Sequence, residues 1–416
     1  WEPCPEAWQA PFRPAGKGVY FDWPLLTDLM PWQHSGVKAG RTWVMGPDDE
    51  ALKACWRALL QAQGEARREL FKDSPTGRKV DEAASELPPG TRRLEPIAEL
   101  RKGAPAPPIM RYAYRSFDRQ YVFADARLID RPGPGIWRAH GDRQVYLTTL
   151  LNHPLGGGPA ATACAWIPDR HHFRGSYGAK EVLPLYRAAD GSEANILPGL
   201  LTLLGRTLDR EVTPEDLLAY VYGILAQPAF TDRFAKELET RELRVPITKD
   251  AELFDQVRQA GARLLWLHTY GERFVPRGKR RGEVPPGRAR CTRAVPEDPS
   301  GYPESFSYDA DARVLHVGDG TFAPVDPEVY GFEVSGLKVV QSWLKYRMKR
   351  GAGRRSSPLD EIRPQRWTGQ FTTELLELLW VLEATVAGYR EQAALLEAVV
   401  DGECFGAGEL PDVPEA

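Results

Sequence analysis

The sequence predicts an α+β fold in which a loop-rich, β-containing unit precedes a mainly helical C-terminal half. Short β-branched and aromatic runs separated by Gly and Pro fill residues 109–185. Apolar residues with helical spacing dominate after Asn195, and strand-like runs return only between residues 299 and 325. With 416 residues, 42% of them hydrophobic, the chain is long enough for two or three domains that bury real cores.

Within residues 1–105 the sequence predicts one amphipathic helix followed by an irregular stretch. The helix covers about 48–71, and its apolar face consists of Leu52, Cys55, Trp56, Leu59 and Leu60. The Pro-rich segments 87–90 and 104–108 lack an apolar period, which is typical of a linker or an irregular rim. We therefore assign residues 1–105 to a connector.

Residues 106–205 predict a β-rich unit. Its strand-like runs include 121–123 and 145–147, and its Gly- and Pro-rich turns include 131–135. The glycine run at 156–158 precedes Pro159 instead of opening a helix. This pattern is typical of a flexible loop tip and not of a cofactor cradle.

Residues 206–416 predict a mainly helical region with a short β insertion near 299–325. Thr213 as N-cap and Pro214 at the first helical position open a strong helix, which ends before Pro228, where the next helix begins. Further helices are predicted at about 250–268, 335–350 and 372–400.

Composition excludes several classes of protein. No stretch approaches the roughly 18 apolar residues of a membrane span, and the start lacks a signal-peptide pattern, so we expect a cytoplasmic protein without a membrane partner. The five cysteines lack Cys-x-x-Cys spacing and predict reduced thiols. Because the chain begins with Trp1, we expect that an N-terminal portion is missing.

Two basic segments stand out against a net charge of −3. One lies within 277–293 and the other within 338–366, where helical spacing places lysines opposite the apolar side of Trp343. The predicted DNA-backbone contacts are Lys338, Lys345, Lys349, Arg350, Arg354, Arg355, Arg280 and Arg281. Such side chains suit a polyphosphate. The alternative is that these charges form only solvated faces.

A third cluster interleaves arginines with aromatic residues inside the β-rich unit. Arginine reads guanine edges and aromatic rings stack on bases, so this composition suits base readout. The candidates are Arg115, Arg119, Arg131 and Arg138. The alternative is that the aromatic residues form a core while nearby aspartates pair with the arginines.

The sequence carries no recognisable catalytic pattern. Residues 271–279 lack phosphate-loop spacing, and His171-His172 with Asp169 offers no second ligand pair for a metal. No residue is assigned to catalysis or to metal binding.

Three sets of residues resemble Type ISP restriction-modification enzymes. Residues 216–225 (Asp-Leu-Leu-Ala-Tyr-Val-Tyr-Gly-Ile-Leu) and 241–247 resemble a core segment of that family. Residues 115–123 (Arg-Ser-Phe-Asp-Arg-Gln-Tyr-Val-Phe) resemble the segment that opens its specificity region. Residues 334–336, 342–347, 355–362 and 374–380 are similar to one branch of its C-terminal specificity domain.

The resemblance implies sequence-specific recognition of double-stranded DNA in phage defence. Such enzymes combine a nuclease, an ATP-driven translocase, an adenine-N6 methyltransferase and a final target-recognition domain. The methyltransferase signature Asn/Asp-Pro-Pro-Tyr/Phe is absent, because 87–90 and 284–287 lack both of its ends. The chain is therefore expected to be a specificity module, as a fragment or a split subunit, without a cofactor or catalytic site of its own.

In this interpretation an upstream methyltransferase domain or subunit is the partner and holds S-adenosylmethionine. Residues 1–105 would connect it to the target-recognition unit. The alternative is a protein-interaction module that docks a separate methyltransferase or nuclease subunit through the Pro-rich stretch and the leucine-rich C-terminal helix.

Overall fold

The computed structural model describes residues 18–74, 77–176, 181–353, 355 and 357–412. Sheets and helices are mixed, and the C-terminal region is helical, so the predicted α+β class is confirmed. The helices described are α1 Leu26–Leu29, α2 Asp49–Gln61, α3 Gly64–Phe71, α4 Pro134–Arg138, α5 Leu200–Thr207, α6 Pro214–Leu225, α7 Pro228–Arg233, α8 Ala251–His268, α9 Pro327–Tyr330, α10 Val339–Arg347 and α11 Gly369–Asp401.

The strands are short. They are β1 Met45–Gly46, β2 Ala84–Ser85, β3 Arg93–Leu94, β4 Ile109–Arg115, β5 Asp118–Phe123, β6 Tyr146–Thr148, β7 Thr162–Cys164, β8 Val182–Pro184, β9 Arg290–Arg293, β10 Phe306–Asp309, β11 Val314–Val317, β12 Gly320–Ala323, β13 Glu333–Val334 and β14 Leu337–Lys338.

Local signals set the start of the main helices. The Thr213 hydroxyl accepts from the Asp216 N–H, while the Asp216 carboxylate accepts from the Thr213 N–H, which completes a capping box. The Asp250 carboxylate accepts from the Leu253 N–H and caps α8. Helix α7 begins at Pro228, as predicted.

Three predicted helices have different bounds. The segment 48–71 forms two helices, because the chain turns at residues 62–64, and Gly64 has a left-handed φ of 54°. Helix α10 is shorter than the predicted 335–350, since Ser335 lies in a hairpin turn and Met348 is extended. Helix α11 begins at Gly369, where the Thr368 hydroxyl caps it.

The loop-rich unit contains two three-stranded antiparallel sheets, ordered β1–β5–β4 and β7–β6–β8. Met45 pairs with Val122, so the chain before residue 105 contributes a strand to the first sheet. Val37 and Leu59 share one apolar core with Tyr112, Val122 and other buried residues of this unit. The predicted connector and recognition unit are therefore built around a common core.

A separate apolar core joins the short β insertion to the C-terminal helices. The sheet has the order β10–β11–β12–β9 and begins at Arg290, so the insertion starts earlier than the predicted residue 299. Val317 and Phe322 from this sheet pack with Trp343 of α10 and Leu378 of α11. Trp343 is buried, as the apolar side of the predicted helix required.

Candidate nucleic-acid interface

The structure separates the predicted arginines of the loop-rich unit into buried and exposed groups. Arg115 ends β4 and is buried, with its Nη1 2.6 Å from Asp169 Oδ1. Its guanidinium also lies over the Tyr114 ring, 3.8 Å from the centroid. Asp169 further accepts from the Tyr112 hydroxyl at 2.8 Å. Arg115 therefore belongs to an internal polar cluster and does not face solvent as a base-reading side chain would.

Arg119 has a similar internal position. It forms an ion pair with Glu377 of α11, and its guanidinium lies 3.6 Å from the centre of the Tyr270 ring. The β4–β5 hairpin thus directs both arginines toward the body of the protein. This location gives Arg115 and Arg119 a structural role in holding the hairpin in this conformation.

A charged cluster connects this hairpin to α10 and α11. Arg347 Nη1 lies 2.9 Å from Asp118 Oδ1, and Arg111 Nη2 lies 2.7 Å from Glu374 Oε1. Burial raises the pKa of the Glu374 carboxyl, but Arg347, Arg111 and Arg119 lower it by more, so the net shift is downward. The charges of this cluster compensate one another and are not available to a ligand.

Arg131 and Arg138 are exposed. Arg138 is the last residue of α4, and Arg131 precedes that helix, where its backbone pairs with Lys38. Neither arginine forms an ion pair among the residues that the structure describes. Of the four predicted base-reading residues, these two are therefore presented to solvent.

The three lysines predicted to lie opposite Trp343 are not carried by one helix. Lys338 ends β14, Lys345 lies on α10 and Lys349 follows the helix, which stops at Arg347. The expected alignment on a continuous helix is therefore wrong, because the backbone changes conformation at both ends. All three side chains are nevertheless exposed.

These exposed cations differ in whether they have an acidic neighbour. Lys338 pairs with Glu333, and Lys349 pairs with Glu304 at 3.1 Å. Lys345 and Arg350 form no ion pair within the described part of the chain. Arg355 Nη1 lies 3.3 Å from Glu361, and Arg354 lies outside the described residues.

The basic segment 277–293 begins in the loop between α8 and β9. Arg280 is exposed, and Arg281 contacts Glu272 at 2.7 Å and Asp142 at 3.0 Å. Asp142 lies in the turn that follows Arg138 on the chain. The Arg281–Asp142 pair therefore brings this segment next to the turn after α4.

The glycine run at 156–158 is fixed against the β13–β14 hairpin. The Gly156 N–H donates to Ser335 Oγ, and the Ser335 N–H donates to the Gly157 carbonyl, both at 2.8 Å. A Cβ on Gly158 would lie 2.1 Å from the Glu333 carbonyl oxygen. The flexible loop tip expected from the sequence is instead a close backbone contact.

The adjacent His171 and His172 lie in different environments. His172 is buried and its Nδ1 lies 2.9 Å from Thr148 Oγ1, whereas His171 is half-buried. Burial, assisted by Arg115, lowers the pKa of His172 to about 3. Among the residues with described positions, no group of three or more His, Cys, Asp or Glu side chains could hold a metal ion.

Lys38, which is not among the predicted contacts, lies opposite the exposed Arg131. It is a single lysine outside every basic run, and only its pairing with Arg131 reveals its position. No periodicity or motif in the sequence gives a signal for this contact.

Comparison with solved structures shows which class of fold this is. The DrdV–DNA complex has a TM-score of 0.60 at 18% identity, over 91% of this chain and 38% of that one. The Type ISP enzyme LlaBIII bound to DNA has a TM-score of 0.56 at 15% identity, over 90% of this chain and 23% of that one. A nuclease-deletion mutant of the Type ISP enzyme LlaGI in complex with a DNA substrate mimic has a TM-score of 0.54 at 16% identity, over 92% of this chain and 29% of that one.

The family follows from the sequence itself. The Type ISP C-terminal specificity domain matches residues 28–378, and the chain belongs to this family. It spans well under half the length of the three solved relatives. No curated protein matches it. In the part of the chain that the structure describes, no helix is both long and apolar enough to cross a membrane.

Proposed function

We propose that this chain recognises a specific sequence of double-stranded DNA and acts as the specificity module of a Type ISP restriction-modification system. The observation that carries the proposal is the match to the Type ISP specificity domain over residues 28–378. The three solved relatives were determined with DNA or a DNA substrate mimic. Exposed cations on the loops of this chain supply a surface chemistry that suits the same ligand.

Contacts with the DNA backbone are assigned to the exposed cations of the two basic segments. Lys345, Arg350 and Arg280 are exposed and form no ion pair among the described residues, so they can bind phosphate without losing a carboxylate. Four other cations have acidic neighbours at exposed positions, where ion pairs contribute at most about 1 kcal/mol. Phosphates can therefore replace those carboxylates around Lys338, Lys349, Arg281 and Arg355. Arg354 belongs to the proposed set on sequence grounds alone.

Base readout is assigned to the exposed Arg138 and not to Arg115 and Arg119, which are paired internally. Arg138 lies at the end of α4 with its side chain in solvent, where a guanidinium can reach the acceptor atoms of guanine. Arg115 and Arg119 would have to leave Asp169 and Glu377 to read a base. We therefore propose that they support the recognition surface from within, a revision of their predicted role.

The chemistry of modification belongs, in this proposal, to another part of the enzyme. The solved relatives are more than twice as long as the matched region, which leaves room for such a part. An adenine-N6 methyltransferase domain or subunit would bind S-adenosylmethionine and act on the site that this chain selects.

Fluorescence anisotropy with a pool of random-sequence duplexes tests the proposal on the 416-residue chain. We expect a dissociation constant tighter than about 100 μM at low salt, which weakens as salt rises because bound cations are released from the phosphates. Repeated selection from the pool should then enrich one sequence. No duplex affinity at low salt would refute DNA binding, and binding without enrichment would refute specificity.

The protein-interaction alternative loses one of the two features that motivated it. The leucine-rich face of α11 includes Leu375, Leu378, Leu379 and Leu382, which are buried in the core of this same chain. In the Pro-rich stretch the Ala104 carbonyl accepts from the Trp56 indole N–H at 3.0 Å, while Pro105, Ala106 and Pro108 stay exposed. The burial of the leucine face favours DNA recognition as the principal function.

A further inference from the structure

Lys38 and Arg131 are neighbouring cations on two paired segments of backbone. The Lys38 N–H donates to the Arg131 carbonyl and the Arg131 N–H donates to the Lys38 carbonyl, each at 3.0 Å. In such an antiparallel pair the two side chains project from the same face with their Cβ atoms about 5 Å apart. Lys38 is half-buried and Arg131 is exposed, so both charged groups can reach solvent above this face.

No carboxylate neutralises this pair among the described residues. The adjacent Asp130 is already bound by Arg41 at 2.8 Å and by the Arg78 N–H at 3.1 Å, with 3% of its side chain exposed. Like charges directly opposite each other across a strand pair destabilise the pairing. The fold therefore maintains a local repulsion that an anion would relieve.

The backbone that carries Lys38 is fixed on both sides. Asn195 is fully buried, accepts from the Trp32 N–H at 2.7 Å and donates to the Trp32 carbonyl at 2.8 Å. Val37 exchanges backbone hydrogen bonds with Pro168 and Arg170, at 2.9 and 2.8 Å. The backbone that carries the two cations is thus held in place before any ligand arrives, which reduces the entropy lost on binding.

The surroundings are also electropositive. Burial lowers the pKa of the nearby His171, and Arg115, Arg170 and Lys38 lower it further against the opposing effect of Asp169. A neutral base edge would leave the charges of Lys38 and Arg131 uncompensated, whereas a phosphate group would neutralise them.

We propose that Lys38 and Arg131 form a phosphate clamp that fixes the register of the protein on the DNA backbone. This inference rests on the proposed function and extends the recognition surface to a segment that sequence analysis had assigned to the connector. It also changes the predicted role of Arg131 from base readout to backbone binding.

Two substitutions at Lys38 test the clamp, with Lys236→Met as the matched control. Lys236 is exposed, lies in the helical half and forms no ion pair among described residues. Lys38→Met should weaken binding to the random duplex pool about tenfold. It should also reduce the slope of log affinity against log salt by about 1. Lys236→Met should change neither quantity.

Lys38→Glu tests whether the stability of the free protein and the affinity for DNA change in opposite directions. It replaces a like-charge pair by an opposite-charge pair, so the melting temperature of the free protein should rise while duplex affinity falls below that of Lys38→Met. A lower melting temperature would show that Lys38 stabilises the fold and would overturn the clamp.

The outcomes distinguish the clamp from the proposed function. If the unmodified chain binds duplex DNA and Lys38→Met binds equally well, the clamp is refuted and DNA recognition stands. If the unmodified chain does not bind, the proposed function itself fails. Selection with Arg131→Met should return the same preferred sequence as the unmodified chain, and a changed preference at one base pair would return Arg131 to base readout.

Discussion

Arg347 and Asp118 form an ion pair with Nη1 and Oδ1 2.9 Å apart, although the Arg347 side chain is fully buried and that of Asp118 is 2% exposed. Arg347 also donates to the Arg119 carbonyl at 3.1 Å and lies over the Trp343 ring. A residue within one of the basic runs of the sequence thus joins α10 to the β4–β5 hairpin. Its charge neutralises a buried carboxylate inside the protein.

Replacement of Arg347 should strongly destabilise the chain. Arg347→Ala leaves the buried carboxylates of Asp118 and Glu374 without this partner, a change that costs about 3–5 kcal/mol in other proteins. Urea denaturation measures the loss. Lys345→Ala on the same helix is the control, because an exposed side chain should change stability by less than about 0.5 kcal/mol. Equal effects of the two substitutions would contradict the buried network.

Arg119 and Arg138 should respond differently to replacement. Arg119→Ala removes the partner of Glu377 and should lower the free energy of unfolding by about 3 kcal/mol. Arg138→Ala should leave stability unchanged and alter the sequence enriched from a random duplex pool. Denaturation and selection on both variants check this division. A stable Arg119→Ala protein with altered sequence preference would restore base readout to Arg119.

Lys345 and Arg350 should contribute to affinity without contributing to sequence preference. Each alanine variant is expected to reduce the slope of log affinity against log salt by about 1, because one fewer phosphate is neutralised. Anisotropy titrations over a range of salt concentrations measure this slope. Arg206→Ala, which removes an exposed charge from α5, serves as the control. A preference for a different base after either substitution would be inconsistent with backbone contact.

Two buried histidines should make the fold sensitive to acid. Burial lowers the pKa of His268 to about 3, and burial with Arg115 does the same for His172. The unfolded chain binds these protons from about pH 6.5 downward. Between pH 6.5 and pH 3 it therefore carries more of them than the folded chain, and stability should fall as pH falls.

Urea denaturation at a series of pH values measures this effect. His268→Gln can replace the hydrogen bonds to Tyr222 and Thr385 without titrating. Its free energy of unfolding should therefore depend less on pH between 6.5 and 3 than that of the unmodified chain. An unchanged pH dependence would mean that His268 does not contribute.

Gly261 should be intolerant of any side chain. A Cβ at this position would lie 1.8 Å from the Ala219 carbonyl oxygen, where α8 meets α6. Gly261→Ala should therefore lower the melting temperature, although alanine favours a helix by about 1 kcal/mol over glycine. Gly369→Ala is the control, because its Cβ would meet only Glu297 at an ordinary 3.5 Å. A stabilised Gly261→Ala protein would contradict the close packing of the two helices.

The sequence by itself determined the mixed fold class, the starts of α6, α7 and α8, and the family. The fold class and the helix starts depend on local hydrogen bonds, on proline geometry and on apolar spacing, all of which lie within a few residues of chain. The family follows from a match that extends over residues 28–378. Trp343 could likewise be assigned to the interior from its neighbours on α10.

Only the tertiary structure decided which cations face solvent. Arg115, Arg119 and Arg347 look like surface charges in the sequence, but carboxylates on distant segments neutralise them in the interior. Lys38 and Arg131 are brought together across more than ninety residues of chain by one pair of backbone hydrogen bonds. The availability of a charge depends on its neighbours in space, and those neighbours are set by packing between segments that local sequence does not specify.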